Sequence, residues 1–449
     1  MRKLIAAVGL AVVACVPTAA PPTSLAPSPT AIAQTSSATA CVRRDSVPSL
    51  AGTQPLVRPS PATAGGVGIP GRLVFLDTVN GTGGRTLTVY ESGAVRTVSL
   101  PASPVGYSTV HLSDDGLVSA IFADETTFGI WSYDLATGAT RTSPVAVPLP
   151  GQQPYAYWSP DGRTVAYVRD GEATSTELFL VDLGGQAQRV ALPDPYLYDL
   201  AWRSSVEMSV VVGTRPTYPL NGASLLTWKI NGRGFEQLVS NVRAASGNHV
   251  WSPDGTGLVY ADRDAADSPE RLLRRRDDGT NVIFGAADLQ KLSNGCDLTS
   301  SPSVSAFGFG WSPDGRLFAT IGKMPPTECC WFLAIGNASG GVPALFRAPS
   351  ECYLNGQGGW LDSTRILAEL TGPDCGRTAS EARAVIIDAM SGAALGGFSV
   401  GRKSALRLSP DRKWVASVYD GGTDFIPIAD PTKRIVLPLT GSIVGWCCQ

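Results

Sequence analysis

A five-residue motif, Trp-Ser-Pro-Asp-Gly, recurs along this chain and constrains its fold more than any other feature. Full copies begin at Trp158, Trp251 and Trp311, and weaker copies begin at Leu112 and Leu408. Other tryptophans occupy the same phase beside eroded turns. The complete set of anchors is Leu112, Trp158, Trp202, Trp251, Trp311, Trp360, Leu408 and Trp446. Successive anchors are roughly 40–60 residues apart, which indicates one supersecondary unit per repeat.

Each repeat predicts four short strands. In the anchor turn, Pro sets φ, Asp caps its own backbone and Gly accepts a positive φ. A β-rich segment follows, such as 164–168, and a second apolar segment, such as 178–182, ends in another polar turn. Short strands repeated at this interval are typical of a β-propeller. We therefore predict an all-β chain of four-stranded antiparallel blades.

The two ends of the repeat region complement each other. Residues 71–100 supply three strands with no anchor before them, and the segment Ile443–Trp446 supplies an anchor strand with no blade after it. Pairing them would close the ring and cover two exposed sheet edges. Counting the repeats and the two complementary ends favours eight blades, or seven if the unit of Trp202 or Trp360 is a distorted insertion.

The repeated motif resembles the TolB-like family of propellers with WD40-like (PD40) repeats, over residues 107–446. The resemblance implies the fold and a location in the bacterial envelope. Since eight blades depart from the six of TolB itself, the partners of TolB are not carried over. The propellers of prolyl-oligopeptidase-type enzymes share these repeats, but this chain has no Gly-x-Ser-x-Gly elbow and no room for a hydrolase domain.

The first 15 residues predict an export signal. Arg2 and Lys3 precede an apolar run of about ten residues, which is too short to span a bilayer. The run ends at Cys15, in a context that resembles the bacterial lipobox, so we expect a lipidated cysteine and a membrane-anchored, extracytoplasmic protein. Residues 16–65 are rich in Pro, Ala, Ser and Thr and predict an extended tether. Residues 66–449 would form the propeller.

Charge and histidine content exclude several functions. With 36 basic and 38 acidic residues, the chain has no overall positive field, so we expect no nucleic-acid partner. His111 and His249 are the two histidines. They stand one and two residues before their anchors and therefore point to opposite sides of their strands. We expect them to pack near the central channel, and we expect no metal, no cofactor and no catalytic constellation.

The repeated aromatic and acidic residues invite functional interpretations that we set aside. The tryptophans could stack on sugars, but large aromatic side chains are the obvious wedges between neighbouring blades. The repeated Asp could bind calcium, but its regular recurrence favours turn capping. We assign a structural role as blade anchors to Trp158, Trp202, Trp251, Trp311, Trp360, Trp446, Asp161, Asp254 and Asp314.

Eight cysteines besides Cys15 predict disulfides in an exported chain. The candidates are Cys41, Cys296, Cys329, Cys330, Cys352, Cys375, Cys447 and Cys448. Five of them, from Cys296 to Cys375, belong to one face of the ring, and the last two belong to the other. Either Cys41 bonds one of the five and Cys447 pairs with Cys448, or Cys41 bonds one of the terminal pair and its neighbour reaches the five.

Loop lengths point to a recognition face. The anchor turns are short, whereas the opposite face carries the longer loops, at 213–224, 262–271, 322–330 and 371–382, with Tyr218, Tyr353 and Tyr419 in or near it. We expect a monomeric, non-catalytic platform that binds an envelope protein or a cell-wall glycan. The alternative is an enzyme or sensor that acts on an extracellular glycan or small molecule in the central channel, through two carboxylates.

Overall fold

The chain forms an eight-bladed β-propeller. Each blade is a four-position antiparallel sheet, and the unit of Trp202 and the unit of Trp360 are complete blades, so the seven-blade alternative is excluded. The computed structural model describes residues 68–77, 84–104, 110–123, 128–146, 155–170, 175–216, 220–232, 234–244, 248–264, 271–276, 279–285, 288, 303–304, 309–324, 330–341, 344–348, 352–372, 381–401, 405–419 and 421–448.

The first four blades follow the repeats in chain order. Blade 1 contains β1 (Arg72–Leu76), β2 (Thr86–Glu91) and β3 (Ala94–Ser99). Blade 2 contains β4 (Val110–Leu112), β5 (Leu117–Ala123), β6 (Phe128–Asp134) and β7 (Thr140–Pro144). Blade 3 contains β8 (Tyr155–Trp158), β9 (Thr164–Asp170), β10 (Thr176–Asp182) and β11 (Ala187–Val190). Blade 4 contains β12 (Tyr196–Ser204), β13 (Glu207–Gly213), β14 (Leu220–Lys229) and β15 (Phe235–Ala244).

The other four blades complete the ring. Blade 5 contains β16 (His249–Trp251), β17 (Leu258–Asp262), β18 (Arg271–Arg276) and β19 (Gly279–Phe284). Blade 6 contains β20 (Ser303–Val304), β21 (Gly310–Trp311), β22 (Leu317–Met324), β23 (Cys330–Asn337) and β24 (Ala344–Arg347). Blade 7 contains β25 (Tyr353–Trp360), β26 (Arg365–Thr371), β27 (Glu381–Asp388) and β28 (Ala394–Gly401). Blade 8 contains β29 (Ala405–Leu408), β30 (Trp414–Tyr419), β31 (Gly422–Pro427) and β32 (Ile435–Leu437), with a 3-10 turn at Pro431–Lys433.

The last strand closes the ring. β33 (Ser442–Cys447) pairs antiparallel with β1, with Leu73 opposite Trp446 and Leu76 opposite Ser442. It takes the innermost position of blade 1, and the predicted closure by the C-terminal strand is confirmed.

The core lies between blades because alternate residues of a strand face opposite neighbours. In β1, Leu73 and Phe75 pack with Phe425 of blade 8, whereas Val74 packs with Val118 of blade 2. Each sheet therefore buries both of its faces, which accounts for strands that are apolar on both sides.

Two details differ from the sequence-based expectation. The innermost position of blade 6 holds two short segments, since β20 and β21 both pair with β22. The predicted loop 213–224 is also shorter than expected. β14 already begins at Leu220, because Leu220 and Ala223 are buried and Leu220 pairs with Ala244 of β15.

Candidate functional site

The innermost strands are tied together by tryptophan side chains. In three blades the indole N–H donates to the carbonyl just before the anchor of the preceding blade. These bonds are Trp202 to Tyr157 at 2.8 Å, Trp311 to Val250 at 3.5 Å and Trp360 to Gly310 at 3.2 Å. In the closing blade, the Trp446 indole donates to the Pro70 carbonyl at 2.8 Å. Each bonded indole therefore packs at the inner strand of its blade, with its N–H group hydrogen-bonded.

The anchor turns show how the repeated aspartates are used. The Ser159 hydroxyl donates to Asp161 at 2.6 Å, and Asp161 also accepts the Arg163 backbone N–H at 3.1 Å. Ser252 with Asp254, and Ser312 with Asp314, repeat the pattern at 2.5 and 2.6 Å. Hydrogen bonds from Ser252 and Thr256 lower the pKa of Asp254 to about 2. These carboxylates are occupied as caps of their own turns.

The glycine of the anchor turn takes the left-handed conformation that the motif requires. Gly162, Gly255 and Gly315 have φ between +65° and +67°. In blade 8, Arg412 stands in this position with φ +58°. Its guanidinium donates to the Trp360 carbonyl at 3.0 Å, and this hydrogen bond joins blade 8 to blade 7, where Leu408 has no indole to do so.

His249 belongs to a buried network between blades 4 and 5. Its Nδ1 lies 3.0 Å from the Asp199 carboxylate and its Nε2 lies 2.6 Å from the Ser209 hydroxyl. The Trp251 indole donates to the same hydroxyl at 2.8 Å, and Ser209 lies 3.2 Å from the Ala201 carbonyl. Ser209 thus stands between the Trp251 indole and the Ala201 carbonyl, two groups whose counterparts in blades 4, 6 and 7 are hydrogen-bonded directly to the preceding blade.

The order Ser209, His249, Asp199 matches the connectivity of a hydrolytic triad, in which a carboxylate orients a histidine that activates a hydroxyl. A nucleophile must reach its substrate, however, and Ser209 has 0% of its surface exposed. Its oxygen already accepts the Trp251 N–H. We therefore interpret the network as polar packing between two blades.

His111 lies in β4 of blade 2 and packs against blade 3. Its ring stacks on Trp158, with centroids 6.4 Å apart. Burial lowers the pKa of His111, against the opposing effects of a hydrogen bond to the Pro160 carbonyl and the charges of Asp114 and Asp161. Since Nε2 has no hydrogen-bond partner, the proton donated to Pro160 is on Nδ1. His111, in blade 2, faces the following blade, and His249, in blade 5, faces the preceding blade. The two side chains therefore point to opposite sides of their strands, as expected.

A cavity of about 520 Å³ lies along the inner strands of blades 2, 3 and 4. Its walls come from β4, β8 and β12. The lining residues are Val110, His111, Tyr155, Ala156, Tyr157, Trp158, Leu200 and Trp202. Among these residues none carries a carboxylate, an ammonium or a guanidinium group, so the described wall is aromatic, aliphatic and free of formal charge when His111 is neutral.

Tyr155 lies at the start of β8, on the side of the ring that we call the loop face. This face holds the starts of the inner strands and the links between blades, and the anchor-turn face holds the Ser-Pro-Asp-Gly turns. Tyr155 is 52% exposed, and Tyr353, at the start of β25, is 40% exposed. Within the described part of the chain, Tyr155 and Tyr353 are the two aromatic residues among the large hydrophobic side chains that are exposed. Both lie on the loop face at the inner ring.

Other predicted site residues fall outside the described part of the chain. These include Cys15, the tether, Cys41, Cys296, Cys329, Cys375 and Tyr218, so the corresponding predictions stay predictions. Of the described cysteines, Cys447 and Cys448 are bonded to each other, one of the two arrangements left open above. Cys352 is also disulfide-bonded. The remaining pairings stay predictions.

Within the described ranges, no cluster of His, Cys, Asp or Glu is suited to hold a metal ion. The helices found there are also too short or too polar to cross a bilayer.

Sequence reasoning missed both the cavity and the Ser209 network. The cavity needs three strands from different repeats, and no local pattern joins Val110, Tyr155 and Leu200. A usable signal was the acidic residue Asp199 among the aromatic and aliphatic residues of segment 196–202, because a carboxylate at a half-buried position needs a polar partner.

Comparison with known proteins supports the fold and no finer assignment. No family model matches the chain, and no curated protein matches it in sequence. A crystal structure of "the eukaryotic initiation factor" is similar with a TM-score of 0.50 and 16% identity, over 86% of this chain and 93% of that one. The shared feature is the fold alone.

Two further structures are more distant. TolB from Acinetobacter baumannii has a TM-score of 0.34 and 15% identity, over 61% of this chain and 62% of that one. The β-propeller domain of the Trilobed protease from Pyrococcus furiosus has a TM-score of 0.43 and 13% identity, over 75% of this chain and 93% of that one. Neither likeness carries an argument about function, and membership of the TolB-like family stays a prediction.

Proposed function

We propose that this chain is a non-catalytic binding platform outside the cytoplasm, held at a membrane through Cys15, and that it recognises an envelope component at the inner ring of its loop face. The observation that carries the proposal is the coincidence of a cavity of about 520 Å³ with the exposed ring of Tyr155. Exposed aromatic residues beside a concave surface are typical of recognition sites.

The rigidity of the frame supports a binding role. The inner strands around the cavity are joined across blades by the Trp202 indole, and the anchor turns are capped by their own side chains. A wall that is already ordered loses little conformational entropy when a ligand binds. Such a surface presents a fixed shape to a partner.

The pKa shifts of the turn aspartates make them poor candidates for a general acid. A general acid of the carboxylate-pair type needs a raised pKa. In each described Asp with a resolved shift, the pKa is lowered, mainly by hydrogen bonds, as in Asp254 and Asp388. This direction suits a capping carboxylate and opposes a proton donor at neutral pH.

The proposal is tested by placing a photo-crosslinking amino acid at single positions of the full-length protein in intact envelopes. Tyr155 and Tyr353 probe the loop face. Val206 and Met390, which are 57% and 55% exposed, lie in turns of the anchor-turn face and are the matched controls. We expect Tyr155 to give a discrete crosslinked species that mass spectrometry can identify, and the controls to give none. Crosslinking only from Val206 or Met390 would overturn the choice of face, and no crosslink from any position would overturn the binding role.

A further inference from the structure

The chemistry of the cavity narrows the class of ligand. Its described wall contains three kinds of group: the aromatic rings of Tyr155, Tyr157, Trp158 and Trp202, small aliphatic surfaces, and uncharged polar atoms of tyrosine and imidazole. A phosphate or a carboxylate ligand would lose its hydration here without gaining an opposite charge, and an ammonium ligand would gain only the attraction of the ring faces. We therefore favour an uncharged occupant.

The rings favour a ligand with C–H faces and hydroxyl edges. The face of an aromatic ring carries partial negative charge, and the axial C–H groups of a pyranose carry partial positive charge, so sugar faces pack on aromatic faces. Hydroxyl groups both donate and accept hydrogen bonds and therefore match tyrosine hydroxyls in either role. Tyr155, half exposed at the start of β8, provides such a ring at the edge of the cavity.

The dimensions favour a short saccharide over a polypeptide strand. The volume of about 520 Å³ lies in the usual range of small-molecule pockets, about 300–1,000 Å³. An extended peptide would instead add to the free edge of an inner strand. β4 has three residues and β8 has four, so two of the three inner edges support few ladder hydrogen bonds, and only β12, with nine residues, offers a longer edge.

We infer that the cavity between the inner strands of blades 2, 3 and 4 binds an uncharged sugar segment of a glycan, with Tyr155 as the stacking ring at its edge. The inference rests on the binding role proposed above and names its ligand class. Tyr155 is the specificity-determining residue because, among the lining residues, it alone has an exposed large hydrophobic side chain.

The test is calorimetric titration of the full-length protein in detergent with maltotetraose, cellotetraose and chitotetraose. Tyr155→Ala removes the ring, Tyr155→Phe keeps it without the hydroxyl, and Met390→Ala removes an exposed hydrophobic side chain from the anchor-turn face of blade 7, outside the cavity lining. We expect at least one sugar to bind. Its Kd should rise about tenfold or more in Tyr155→Ala, equivalent to about 1.4 kcal/mol, change less than about threefold in Tyr155→Phe, and stay unchanged in Met390→Ala.

Because neither the described wall nor the ligand is charged, we also expect the Kd to be insensitive to 0.5 M NaCl. Equal loss of binding in Tyr155→Ala and Met390→Ala would overturn the assignment of this cavity. Binding of an extended peptide with no binding of the three sugars would overturn the ligand class. A Tyr155 photo-crosslink without sugar binding would remove this inference and leave the platform, whereas the absence of both would remove both.

Discussion

At the scale of single residues, the buried His111 makes the stability of the protein depend on pH. The imidazole is packed against Trp158 and close to Gly162, where an added Cβ would come within 3.2 Å of the His111 ring. Burial is the largest influence and lowers the pKa of His111 from 6.5, although Asp114, Asp161 and the Pro160 carbonyl act in the opposite direction. The folded protein therefore favours the neutral ring.

We predict that His111 makes the fold less stable in mild acid. As pH falls below about 6.5, the unfolded chain takes up a proton at this side chain before the folded chain does, so the free energy of unfolding decreases. At pH values above 6.5, both states are neutral and the effect vanishes. The His111→Gln variant should lack this decrease in unfolding free energy. Urea unfolding of the wild type and the variant between pH 5 and pH 8 measures the difference.

His249 is present in both proteins, so its own contribution cancels in that difference. A variant whose unfolding free energy follows pH in parallel with the wild type would contradict the assignment to His111.

The residue scale is also where sequence reasoning is weakest. The two histidines were expected on opposite sides of their strands, and the structure places them so, with His111 against blade 3 and His249 against blade 4. Their partners were not foreseen. Ser209 lies in a Val-rich strand of one repeat and His249 lies in the next repeat, 40 residues further on. Only the packing of neighbouring blades brings such positions together, and strand periodicity carries no information about it.

At the scale of the elements, the turns and strands follow from local chemistry. Ser-Pro-Asp-Gly specifies its turn because each of its residues satisfies one backbone requirement, and strand alternation specifies which neighbour each side chain meets. The divided inner strand of blade 6 was not predicted, because Trp311 and its turn, Ser312 to Gly315, follow the motif without deviation. A local motif specifies its own turn and leaves the pairing of the preceding segment open.

We predict that the hydrogen bond of the Trp202 indole contributes measurably to blade packing. Trp202→Phe removes the N–H that the Tyr157 carbonyl accepts at 2.8 Å. The matched control is Trp331→Phe, because the Trp331 indole N–H is buried without a hydrogen-bond partner. Both variants lose ring area, but only the first loses a hydrogen bond. Trp202→Phe should therefore be more destabilising by about 0.5–1.5 kcal/mol.

Urea unfolding of the two variants under identical conditions measures that difference. If Trp331→Phe proves equally or more destabilising, the indole bonds are incidental to the packing of the wedges and area burial alone stabilises the inner ring.

At the scale of the whole molecule, the closed ring lets each sheet pack against two neighbouring blades. The sequence predicted the blade count and the closing strand because both follow from counting repeats and matching incomplete ends. Its choice of the loop face as the recognition surface, made from loop length, stays a prediction. The sequence did not indicate the cavity, whose walls on β4, β8 and β12 come from three successive repeats.

The closing strand offers the clearest test at this scale. Removing residues 442–449 would leave the edge of β1 unpaired and would uncover Leu73 and Phe75, which are fully buried in the intact ring. Burial of Ile443 alone is worth about 1.5–3 kcal/mol, and the ladder to β1 is lost with it. An open propeller also presents an unpaired strand that can add to another copy. We therefore predict a lower melting temperature and concentration-dependent oligomers for the truncated chain.

Trp446→Phe is the graded control, because it keeps β33 and removes only the indole bond to the Pro70 carbonyl. It should remain monomeric and melt between the wild type and the truncated chain. Light scattering during gel filtration measures the oligomers, and thermal unfolding measures the stability. A truncated chain that stays monomeric and melts with the wild type would show that seven complete blades and the three-stranded remainder of blade 1 are stable without their closure. Loss of sugar binding on truncation, with binding retained in Trp446→Phe, would further show that the cavity depends on a closed ring, since β33 itself contacts β4.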